Sequence, residues 1–419
     1  MTDREYETEN MSVTAGKIPL DLYIMANSPG EISGLAAPLV RELRLKAGNI
    51  RITIVIPPCQ YASGGEIELG LGIGADRCVN LSGLKNMLSE PGGVIEKPEK
   101  KLLLHIGGDV AFSVYASRKL KCPLWVYASK PRWKFFADRY FVSDEKYRER
   151  FERKKIPPGK FMIVGNLALD SAALSETETE TREFLGIGPD TPVLTCLTGS
   201  RPLEYTEGIR LFASVARIVT DRFPEMKVFF PLAPTVREDL LKNALREAGI
   251  GWTGESRGRE IDLGGGRTAA VVRDRTLEVL NCSRLALAVP GTNNLQAAAL
   301  YIPYIMVLPL DRSDEYPLDG LLGLLPLWLP GFRRFKRRYI RKLNERTACV
   351  SLPNIMAGRM IAPEIRGSFD AGVPARMAIG LLESPEQLKE ISRAFWELTH
   401  ERGASARLAG EIEEFSKKA

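Results

Sequence analysis

The chain has 419 residues, too many for one compact core, so we expect two domains. Its 44% hydrophobic and 26% charged residues are typical of a globular protein, and a net charge of +6 does not by itself indicate nucleic-acid binding. Six scattered cysteines and only two histidines argue against a disulfide framework or a metal centre, and we expect no cofactor. No apolar run reaches the roughly 20 residues that a membrane-spanning helix needs.

The first ten residues are polar and acid-rich, unlike a signal peptide or a membrane anchor. We predict a disordered lead-in over residues 1–16, in which Met11 is an alternative start.

Strands and helices alternate through residues 17–188, which predicts a first α/β domain with a parallel sheet and crossover helices. The predicted strands are Leu20–Met25, Arg51–Ile56, Leu102–Ile106, Leu124–Tyr127, Phe141–Val142 and Phe161–Val164. The first two predicted helices are Leu35–Lys46 and Val110–Leu120. A polar stretch that ends at Gly188 marks the predicted domain boundary.

A second strand–loop–helix series over residues 189–368 predicts another Rossmann-like domain. Its predicted strands are Val193–Leu197, Val228–Pro231, Ala270–Val272, Leu285–Val289 and Tyr304–Leu308. Residues 369–419 are predicted to form three C-terminal helices, one of which packs back on the first domain. Two such domains, with parallel sheets facing a cleft, bind ligands at the carboxyl ends of their strands.

The loop Ser28–Gly34 joins the first predicted strand to the first predicted helix. Gly34 permits close backbone approach, and Ser33 can cap the helix while N–H groups stay available to an anion. The loop is either a structural turn or an active-site loop in which Glu31 is a candidate catalytic carboxylate.

The loop after Leu197 opens the second domain. Gly199 allows a tight turn, and Ser200 and Arg201 offer donors at the positive end of a helix dipole. Arginine can hold a diphosphate bidentately, so we favour phosphate binding by this loop, with Glu204, over a plain surface turn.

The loop after Val289 precedes a helix of small residues. Gly291 and Thr292 would present backbone and hydroxyl donors to a nucleotide diphosphate. Asn293 and Gln296 are further candidate contacts, and the Gln296 amide offers one carbonyl acceptor.

A short β-like run, predicted at residues 348–352, leads into the segment Val350–Arg359 and stops at Pro353, which has no N–H for a ladder. The Asn354 amide can cap the next helix or reach a ligand. Asn354 and Arg359 are therefore candidate nucleotide contacts, against the alternative of a plain strand–turn–helix junction.

Asp109 follows Gly107-Gly108 at the end of a predicted strand. A carboxylate there can take a proton from an acceptor hydroxyl as a catalytic base, or it can cap the following helix. His105 could serve as the base instead, but a lone histidine inside an apolar strand is more often a packed core residue.

Residues 318–342 combine an apolar block, broken by prolines, with a basic cluster. The expected membrane contacts are Leu324, Leu325, Trp328, Phe332, Arg333, Arg334 and Arg337. The block is too short to span a bilayer, but the combination suits an interfacial anchor on an anionic membrane surface. The alternative is a buried loop beside a solvated basic helix, and no nucleic-acid partner is expected because no recognised binding motif accompanies the cluster.

Four of these segments carry a resemblance to the lipid-A-disaccharide synthase family over about Leu20 to Leu382. They are Gly30-Glu31-Ile32-Ser33-Gly34, Gly199-Ser200-Arg201 with Glu204, Gly291-Thr292-Asn293-Asn294-Leu295-Gln296, and Leu352-Pro353-Asn354 with Ala357-Gly358-Arg359. The resemblance implies an inverting glycosyltransferase with the GT-B fold, no metal, and a UDP-sugar donor for which UDP-2,3-diacylglucosamine is the candidate. It also implies a lipid-linked acceptor at the cytoplasmic face of the inner membrane, in a pocket that includes Ser33, Gly34, Tyr127 and Ser129.

The sequence departs from the family pattern at three places. Leu35 stands where the family has Asp, Gln296 stands where it has a Glu that accepts hydrogen bonds from ribose, and the acidic pattern near Asp109 differs. Two other readings stay open: a UDP-sugar 2-epimerase of the same fold, and a non-catalytic, membrane-associated protein that binds nucleotide-sugars. The oligomeric state is also open.

Overall fold

The computed structural model describes residues 20–46, 50–58, 65–89, 100–199, 202–232, 236, 238–253, 259–311 and 332–418. The chain divides into two compact units: unit 1 is Met1–Ser171 with Glu401–Ala419, and unit 2 is Ala172–His400. This division comes before the boundary predicted at Gly188, because the helix Glu178–Leu185 contacts a helix of unit 2 and places Leu185 against its core.

Unit 1 contains a parallel sheet. Its strands, among the described residues, are β1 Leu20–Met25, β2 Ile50–Ile56, β3 Arg77–Asn80, β4 Lys100–His105, β5 Leu124–Tyr127, β6 Arg139–Val142 and β7 Phe161–Ile163. They lie in the order β3-β2-β1-β4-β5-β6-β7, and every pairing is parallel. The central strands are apolar and buried, as expected for a sheet with a hydrophobic layer on each face.

Unit 2 contains a larger sheet. Its described strands are β8 Val193–Leu197, β9 Lys227–Leu232, β10 Trp252–Thr253, β11 Arg259–Gly264, β12 Arg267–Arg273, β13 Leu285–Ala288, β14 Tyr304–Pro309 and β15 Glu364–Gly367. Their order is β10-β11-β12-β9-β8-β13-β14-β15, parallel from β12 to β15 and antiparallel at the β10–β11–β12 edge. The prediction of two α/β halves with largely parallel sheets is confirmed.

Helices connect the strands in both units. Those of unit 1 are α1 Pro29–Glu31, α2 Ala37–Lys46, α3 Glu66–Gly72, α4 Leu81–Ser89, α5 Val110–Leu120, α6 Glu145–Arg153 and α7 Leu167–Asp170. Those of unit 2 are α8 Glu178–Leu185, α9 Pro202–Arg222, α10 Glu238–Ala248, α11 Thr276–Asn281, α12 Thr292–Ala299, α13 Phe332–Arg346, α14 Leu352–Ala357, α15 Gly372–Leu382 and α16 Pro385–Thr399.

The last helix, α17 Ala404–Lys417, returns to unit 1. The carboxylate of Asp170 accepts hydrogen bonds from the N–H groups of Gly403 at 2.8 Å and Ser405 at 2.6 Å, which fixes the start of the helix. Leu408 and Ile412 then pack into the unit 1 core. The expectation that one of the three C-terminal helices packs back on the first domain is confirmed by α17, whereas α15 and α16 pack into the unit 2 core.

The β-like run predicted at residues 348–352 is wrong. These residues form no strand, and α14 begins at Leu352 with Pro353 in its first turn, where proline is tolerated because that N–H has no helical partner. The strand of this region is β15, which pairs with β14 at the edge of the sheet.

Candidate functional site

The strand order reverses once in each unit, at β1 and β4 in unit 1 and at β8 and β13 in unit 2. Such a switch point leaves a crevice at the carboxyl ends of the two strands, and ligands of open α/β sheets bind there. The loops predicted to carry chemistry leave the sheets at these two points.

In unit 2 the loops after β8 and β13 are neighbours, since the N–H of Val289 donates to the carbonyl of Leu197 at 3.2 Å. Gly199 turns the first loop with a φ of 90°, a left-handed conformation that favours glycine. The predicted contacts Ser200 and Arg201 lie outside the described residues, and of Glu204 only the backbone, in the first turn of α9, is described.

The second loop of unit 2 is fixed from inside by Asn294. This side chain is fully buried, accepts a hydrogen bond from the N–H of Gly291 at 3.3 Å, and donates to the carbonyl of Val289 at 3.1 Å. Sequence reasoning missed Asn294 as a positioning residue, although its place three residues after the N-cap glycine is the capping-box position.

The surface above this loop is open. Gly291 is exposed, and a Cβ built there meets no atom of the described residues within 4 Å. Thr292, Asn293 and Gln296 lie partly exposed on α12, whose N-terminus carries a partial positive charge. The predicted residues of this loop therefore lie together at an exposed surface beside the start of α12.

Asn354 does not take the ligand-binding role that we predicted. The side chain is fully buried, and its amide donates to the carbonyl of Ala362 at 2.8 Å and to the carboxylate of Glu364 at 2.9 Å. Its carbonyl accepts from the N–H groups of Ile361 and Ala362. Because these bonds use both ends of the amide, Asn354 holds its own segment together and has nothing to offer a ligand.

Glu364 is the other half of this buried network. Its carboxylate accepts from the N–H groups of Val350 and Ser351 at 2.9 to 3.0 Å, and its side chain is fully shielded from solvent. The network supports α14, which packs against α12 below the open loop. Arg359 lies exposed beyond it, after Gly358 ends the helix with a φ of 67°.

In unit 1 the loops after β1 and β4 are joined by Glu31. Its carboxylate accepts from the N–H of Asn27 at 2.8 Å and from the N–H of Gly108 at 3.3 Å. Gly107 makes this possible, because a Cβ there would lie 2.0 Å from a carboxylate oxygen of Glu31. Glu31, predicted as catalytic, thus positions the loop that carries Asp109.

Asp109 is exposed at this switch point, and its carboxylate accepts from the N–H of Ala111 at 2.9 Å as the N-cap of α5. The capping role is therefore observed, and the same exposure leaves the carboxylate accessible to a substrate. His105 is buried and hydrogen-bonded through Nδ1 to the Ser113 hydroxyl at 2.8 Å. Burial lowers its pKa to about 4, against a small opposing effect of Asp109, so the ring is neutral near pH 7 and the packed reading is confirmed.

The loop Ser28–Gly34 is helical for most of its length. Ser28, rather than Ser33, caps the helix by accepting from the N–H of Glu31 at 3.3 Å. Ser33 lies in a π-helical turn, Ile32–Ala36, and its hydroxyl donates to the carbonyl of Pro29 at 2.8 Å, so its predicted capping role is wrong. Gly34 is buried, and Leu35 packs against the unit 1 core.

The two residues expected in an acceptor pocket after β5 differ in their surroundings. The hydroxyl of Tyr127 donates to the carbonyl of Gly165 at 3.1 Å and accepts from the N–H of Leu167 at 3.2 Å, and burial raises its pKa well above the ordinary value. Ser129 is exposed, and its carbonyl accepts from the Arg150 guanidinium at 3.0 Å. Tyr127 is thus engaged within unit 1, whereas the Ser129 side chain lies at the surface.

The predicted membrane contacts fall partly outside the described residues. Leu324, Leu325 and Trp328 are outside them, and only the backbone of Phe332 is described. Arg333, Arg334 and Arg337 lie exposed on α13, whose exposed face also carries Phe335, Tyr339 and Leu343. Across the described part of the chain, no helix is long and apolar enough to cross a membrane, and no three His, Cys, Asp or Glu side chains could hold a metal ion.

Comparisons of the sequence show which known proteins the chain is similar to. The family model described as lipid-A-disaccharide synthetase matches residues 158–311, which include the loops after β8 and β13. The lipid-A-disaccharide synthase of Myxococcus xanthus is 25% identical over 282 residues, covering 64% of this chain and 62% of that protein. The synthase of Syntrophus aciditrophicus is 26% identical over 57% of this chain and 52% of that protein, so the matches span less than two thirds of these relatives' lengths.

Solved structures with the same fold are more distant in sequence. The UDP-GlcNAc 2-epimerase of Neisseria meningitidis, bound to UDP-GlcNAc, is 13% identical over 94% of this chain and all of that chain, with a TM-score of 0.56. The S. aureus protein MnaA, solved with UDP, is 12% identical over 94% of this chain and 96% of that one, with a TM-score of 0.55. These likenesses confirm the GT-B-like fold and nothing finer. The family-model match and the synthase relatives show that part of the chain is similar to the lipid-A-disaccharide synthase family.

Proposed function

We propose that this protein is a glycosyltransferase that moves a sugar from a UDP-sugar to a lipid-linked acceptor at the cytoplasmic face of a membrane. Its family supports the activity. The observation that carries the proposal is the open space at Gly291, at the start of α12 and at the switch point of unit 2. UDP-2,3-diacylglucosamine is the candidate donor by resemblance.

Unit 2 would hold the donor. The N-terminus of α12 and the Thr292 hydroxyl offer hydrogen-bond donors to a diphosphate, and the buried Asn294 keeps them in place without ligand. Ser200 and Arg201 are expected to add charge to the same anion, and Gln296 is expected to accept a hydrogen bond from the ribose. The UDP and UDP-GlcNAc in the two solved structures of this fold are consistent with that assignment.

Unit 1 would supply the base. Asp109 is an exposed carboxylate on a loop held in place by Glu31, as a proton acceptor for an incoming hydroxyl requires. Direct displacement at the anomeric carbon with one base inverts that carbon, which is the stereochemistry we propose. The acceptor pocket is expected to include Ser33, Gly34, Tyr127 and Ser129.

A membrane-bound acceptor is supported by α13. Phe335, Tyr339 and Leu343 follow one another at helical spacing and are 51%, 41% and 50% exposed, between arginines on both sides. An apolar stripe flanked by basic side chains is typical of a helix that lies in a membrane interface. We therefore propose peripheral association with the inner membrane through α13 and the preceding apolar block.

Calorimetric titration with UDP and with UDP-N-acetylglucosamine tests the donor site. Thr292→Val and Arg201→Ala should each weaken UDP binding by about tenfold or more, since each removes a hydrogen bond to a charged group. Thr268→Val, an exposed position on β12, is the matched control and should bind like wild type. No saturable binding by folded wild-type protein would overturn the nucleotide-sugar assignment.

Product analysis separates transfer from the alternatives. If the protein converts UDP-N-acetylglucosamine into its 2-epimer without an acceptor, the protein is an epimerase and the transferase assignment is overturned. Binding of UDP with no turnover, and no effect of Asp109→Asn on cellular lipid composition, would favour a non-catalytic binding protein.

A further inference from the structure

A basic and aromatic surface lies on unit 1, and its lining contains none of the residues predicted from the sequence, although Ser129 directly precedes it in the chain. It surrounds a cavity of about 950 Å³ between the loop after β5 and helix α6. Five basic residues line it: Lys130, Arg132, Lys134, Arg150 and Lys154. Among the described residues its lining contains no carboxylate, so this Lys130–Lys154 surface is strongly positive.

Positive charge is locally concentrated here, as it is on α13. Residues 130–160 contain eleven Lys or Arg and five Asp or Glu, a net charge of +6 that equals the net charge of all 419 residues. Two of the acids in α6, Glu145 and Glu149, pair with Arg148 and Arg153. Because the charges of these two glutamates are already balanced by their arginine partners, they do not offset the positive charge of the cavity. The cavity therefore favours an anionic partner.

Two aromatic rings stand out from the same loop. Trp133 is 46% exposed and Phe135 is 86% exposed, and both lie among the basic residues of the cavity. Trp133 has a φ of 56°, a left-handed conformation that bulky residues rarely adopt. Such strain persists only where the surroundings hold it, and it is concentrated at functional sites.

The loop is anchored so that these rings stay outside. The buried Tyr140 donates its hydroxyl to the carbonyl of Arg132 at 2.8 Å, and Arg150 donates to the carbonyl of Ser129 at 3.0 Å. The ring of Phe136 turns inward, with the Arg118 guanidinium 4.5 Å from its centre. The exposure of Trp133 and Phe135 is therefore a property of a built loop.

The ring geometry discriminates between two kinds of anionic partner. A single-stranded nucleic acid stacks its bases on open aromatic faces, but the Lys134 ammonium lies 5.2 Å from the centre of the Phe135 ring. Trp133 and Phe136 meet at 51°, which offers no parallel platform. Rings at the tip of a loop with lysine stems around them suit the headgroup level of a bilayer, where the stems can extend along apolar surface and the charges reach phosphates.

We propose that the Lys130–Lys154 surface docks unit 1 on an anionic phospholipid bilayer, with Trp133 and Phe135 inserted at headgroup level. The loop leaves the carboxyl end of β5, the same edge of the parallel sheet at which Glu31 and Asp109 lie. Docking would hold that edge at the membrane surface. This deepens the proposed function, on which it rests for the presence of a lipid acceptor at that edge.

Vesicle co-sedimentation of the full chain tests the proposal. Vesicles of phosphatidylcholine alone are compared with vesicles of equal parts phosphatidylcholine and phosphatidylglycerol. The test variant, the triple lysine variant, combines Lys130→Gln, Lys134→Gln and Lys154→Gln. The control combines Lys242→Gln, Lys389→Gln and Lys417→Gln, which removes the same number of charges from exposed lysines elsewhere on the protein. We expect the test variant to bind anionic vesicles on the order of 100-fold more weakly, since each charge near such a surface contributes about fivefold, and the control to bind nearly as wild type.

Three further measurements decide the interpretation. Quenching by brominated lipids should fall when Trp133→Phe removes the inserted indole, and unchanged quenching would overturn the insertion. A variant of α13 with Arg334→Gln, Arg338→Gln and Arg341→Gln shows whether that helix alone explains vesicle binding. If the triple lysine variant binds anionic vesicles as tightly as wild type, the proposed docking surface is overturned. Tighter binding to single-stranded RNA than to anionic vesicles would overturn the choice of partner.

UDP titration of every variant separates this proposal from the proposed function. If the triple lysine variant binds UDP as tightly as wild type, it is folded, and its loss of vesicle binding then reports on docking. If wild type binds no UDP but the vesicle result stands, the donor assignment fails and the docking surface remains.

Discussion

Units 1 and 2 each have a switch point in their parallel sheet, and the side chains that tie the loops there differ in charge and in position. In unit 1 the carboxylate of Glu31 occupies the space beside Gly107 and ties the two neighbouring loops together. In unit 2 the tie is the neutral amide of Asn294, placed below the loop, and no atom of the described residues lies within 4 Å of a Cβ built on Gly291. One switch point is closed by negative charge, and the other is open and presents N–H groups.

This difference divides the chemistry between the units. A diphosphate would be repelled by the carboxylates of Glu31 and Asp109 but attracted by the start of α12. A hydroxyl that must lose its proton needs a carboxylate, which the unit 1 loops provide and the described part of the unit 2 loops does not. The duplicated fold therefore gives two positions, and the side chain that ties the loops decides what each position can do.

The largest expected effect comes from Asp109→Asn. Asparagine caps a helix about as well as aspartate, so the melting temperature should stay within a few degrees, whereas turnover should fall by about 100-fold or more if the carboxylate is the base. The measurement is release of UDP from UDP-2,3-diacylglucosamine with a detergent-solubilised lipid extract as the source of acceptor.

Asp144→Asn is the matched control. Asp144 caps α6 with the same geometry, accepting from the N–H of Lys146 at 2.9 Å, but it has no proposed catalytic role. Equal turnover by the two variants would leave Asp109 with its capping role alone and would remove the chemical half of the contrast between the units.

Alanine at the two switch-point glycines should separate stability from binding. Gly107→Ala would displace the Glu31 carboxylate from its two N–H partners, at a cost of about 3 kcal/mol in the free energy of unfolding. Gly291→Ala meets no neighbour, and its φ of 167° is extended, so unfolding should change by less than about 0.5 kcal/mol while UDP affinity falls. Denaturant titration gives the free energy of unfolding of each variant, and UDP titration gives its affinity for UDP. A loss of stability in Gly291→Ala equal to that in Gly107→Ala would contradict the interpretation that the space beside Gly291 is open.

The closed switch point should also weaken in mild acid. The pKa of His105 is lowered from 6.5 to about 4 in the folded chain. As the pH falls below 6.5, the unfolded chain therefore binds a proton at His105 while the folded chain does not, and this favours unfolding. Stability is therefore present above about pH 6.5 and is lost progressively toward pH 4, on the order of 2 kcal/mol by roughly pH 5.

Denaturant titration at about pH 7 and about pH 5 measures this loss. In His105→Leu the difference between the two pH values should shrink by that amount, while the absolute stability also changes because Ser113 loses its partner. An unchanged difference would show that other groups cause the acid sensitivity.

Much of the fold could be predicted from the sequence. Leu20–Met25, Leu124–Tyr127 and Val193–Leu197 are confirmed to the residue, because central strands buried on both faces are short apolar runs with turn signals at their ends. The edge strands Arg77–Asn80 and Glu364–Gly367 were missed, since an edge strand has fewer buried neighbours and its polar residues hide the pattern.

The candidate site was less predictable, because its ties join residues distant along the chain. Glu31 bonds to Gly108, and nothing in the sequence around either residue indicates that the two loops meet. Asn354 was predicted to reach a ligand because its motif was distinctive, yet its partners Ala362 and Glu364 consume the whole amide. In both cases a distinctive motif carried a resemblance to a known family, but the direction of each side chain came from tertiary contacts.

The smallest expected effect concerns Gln296, the position where unit 2 departs from the synthase pattern that it resembles. Gln296→Glu would give a ribose hydroxyl a charged acceptor, and charge-assisted hydrogen bonds are about twice as strong as neutral ones, so UDP should bind about fivefold more tightly. Gln387→Glu, exposed on α16, adds the same charge elsewhere and should leave the affinity unchanged. A weaker affinity in Gln296→Glu would mean that negative charge near the open switch point repels the diphosphate, and the neutrality of unit 2 would then extend from its loop to the first turns of α12.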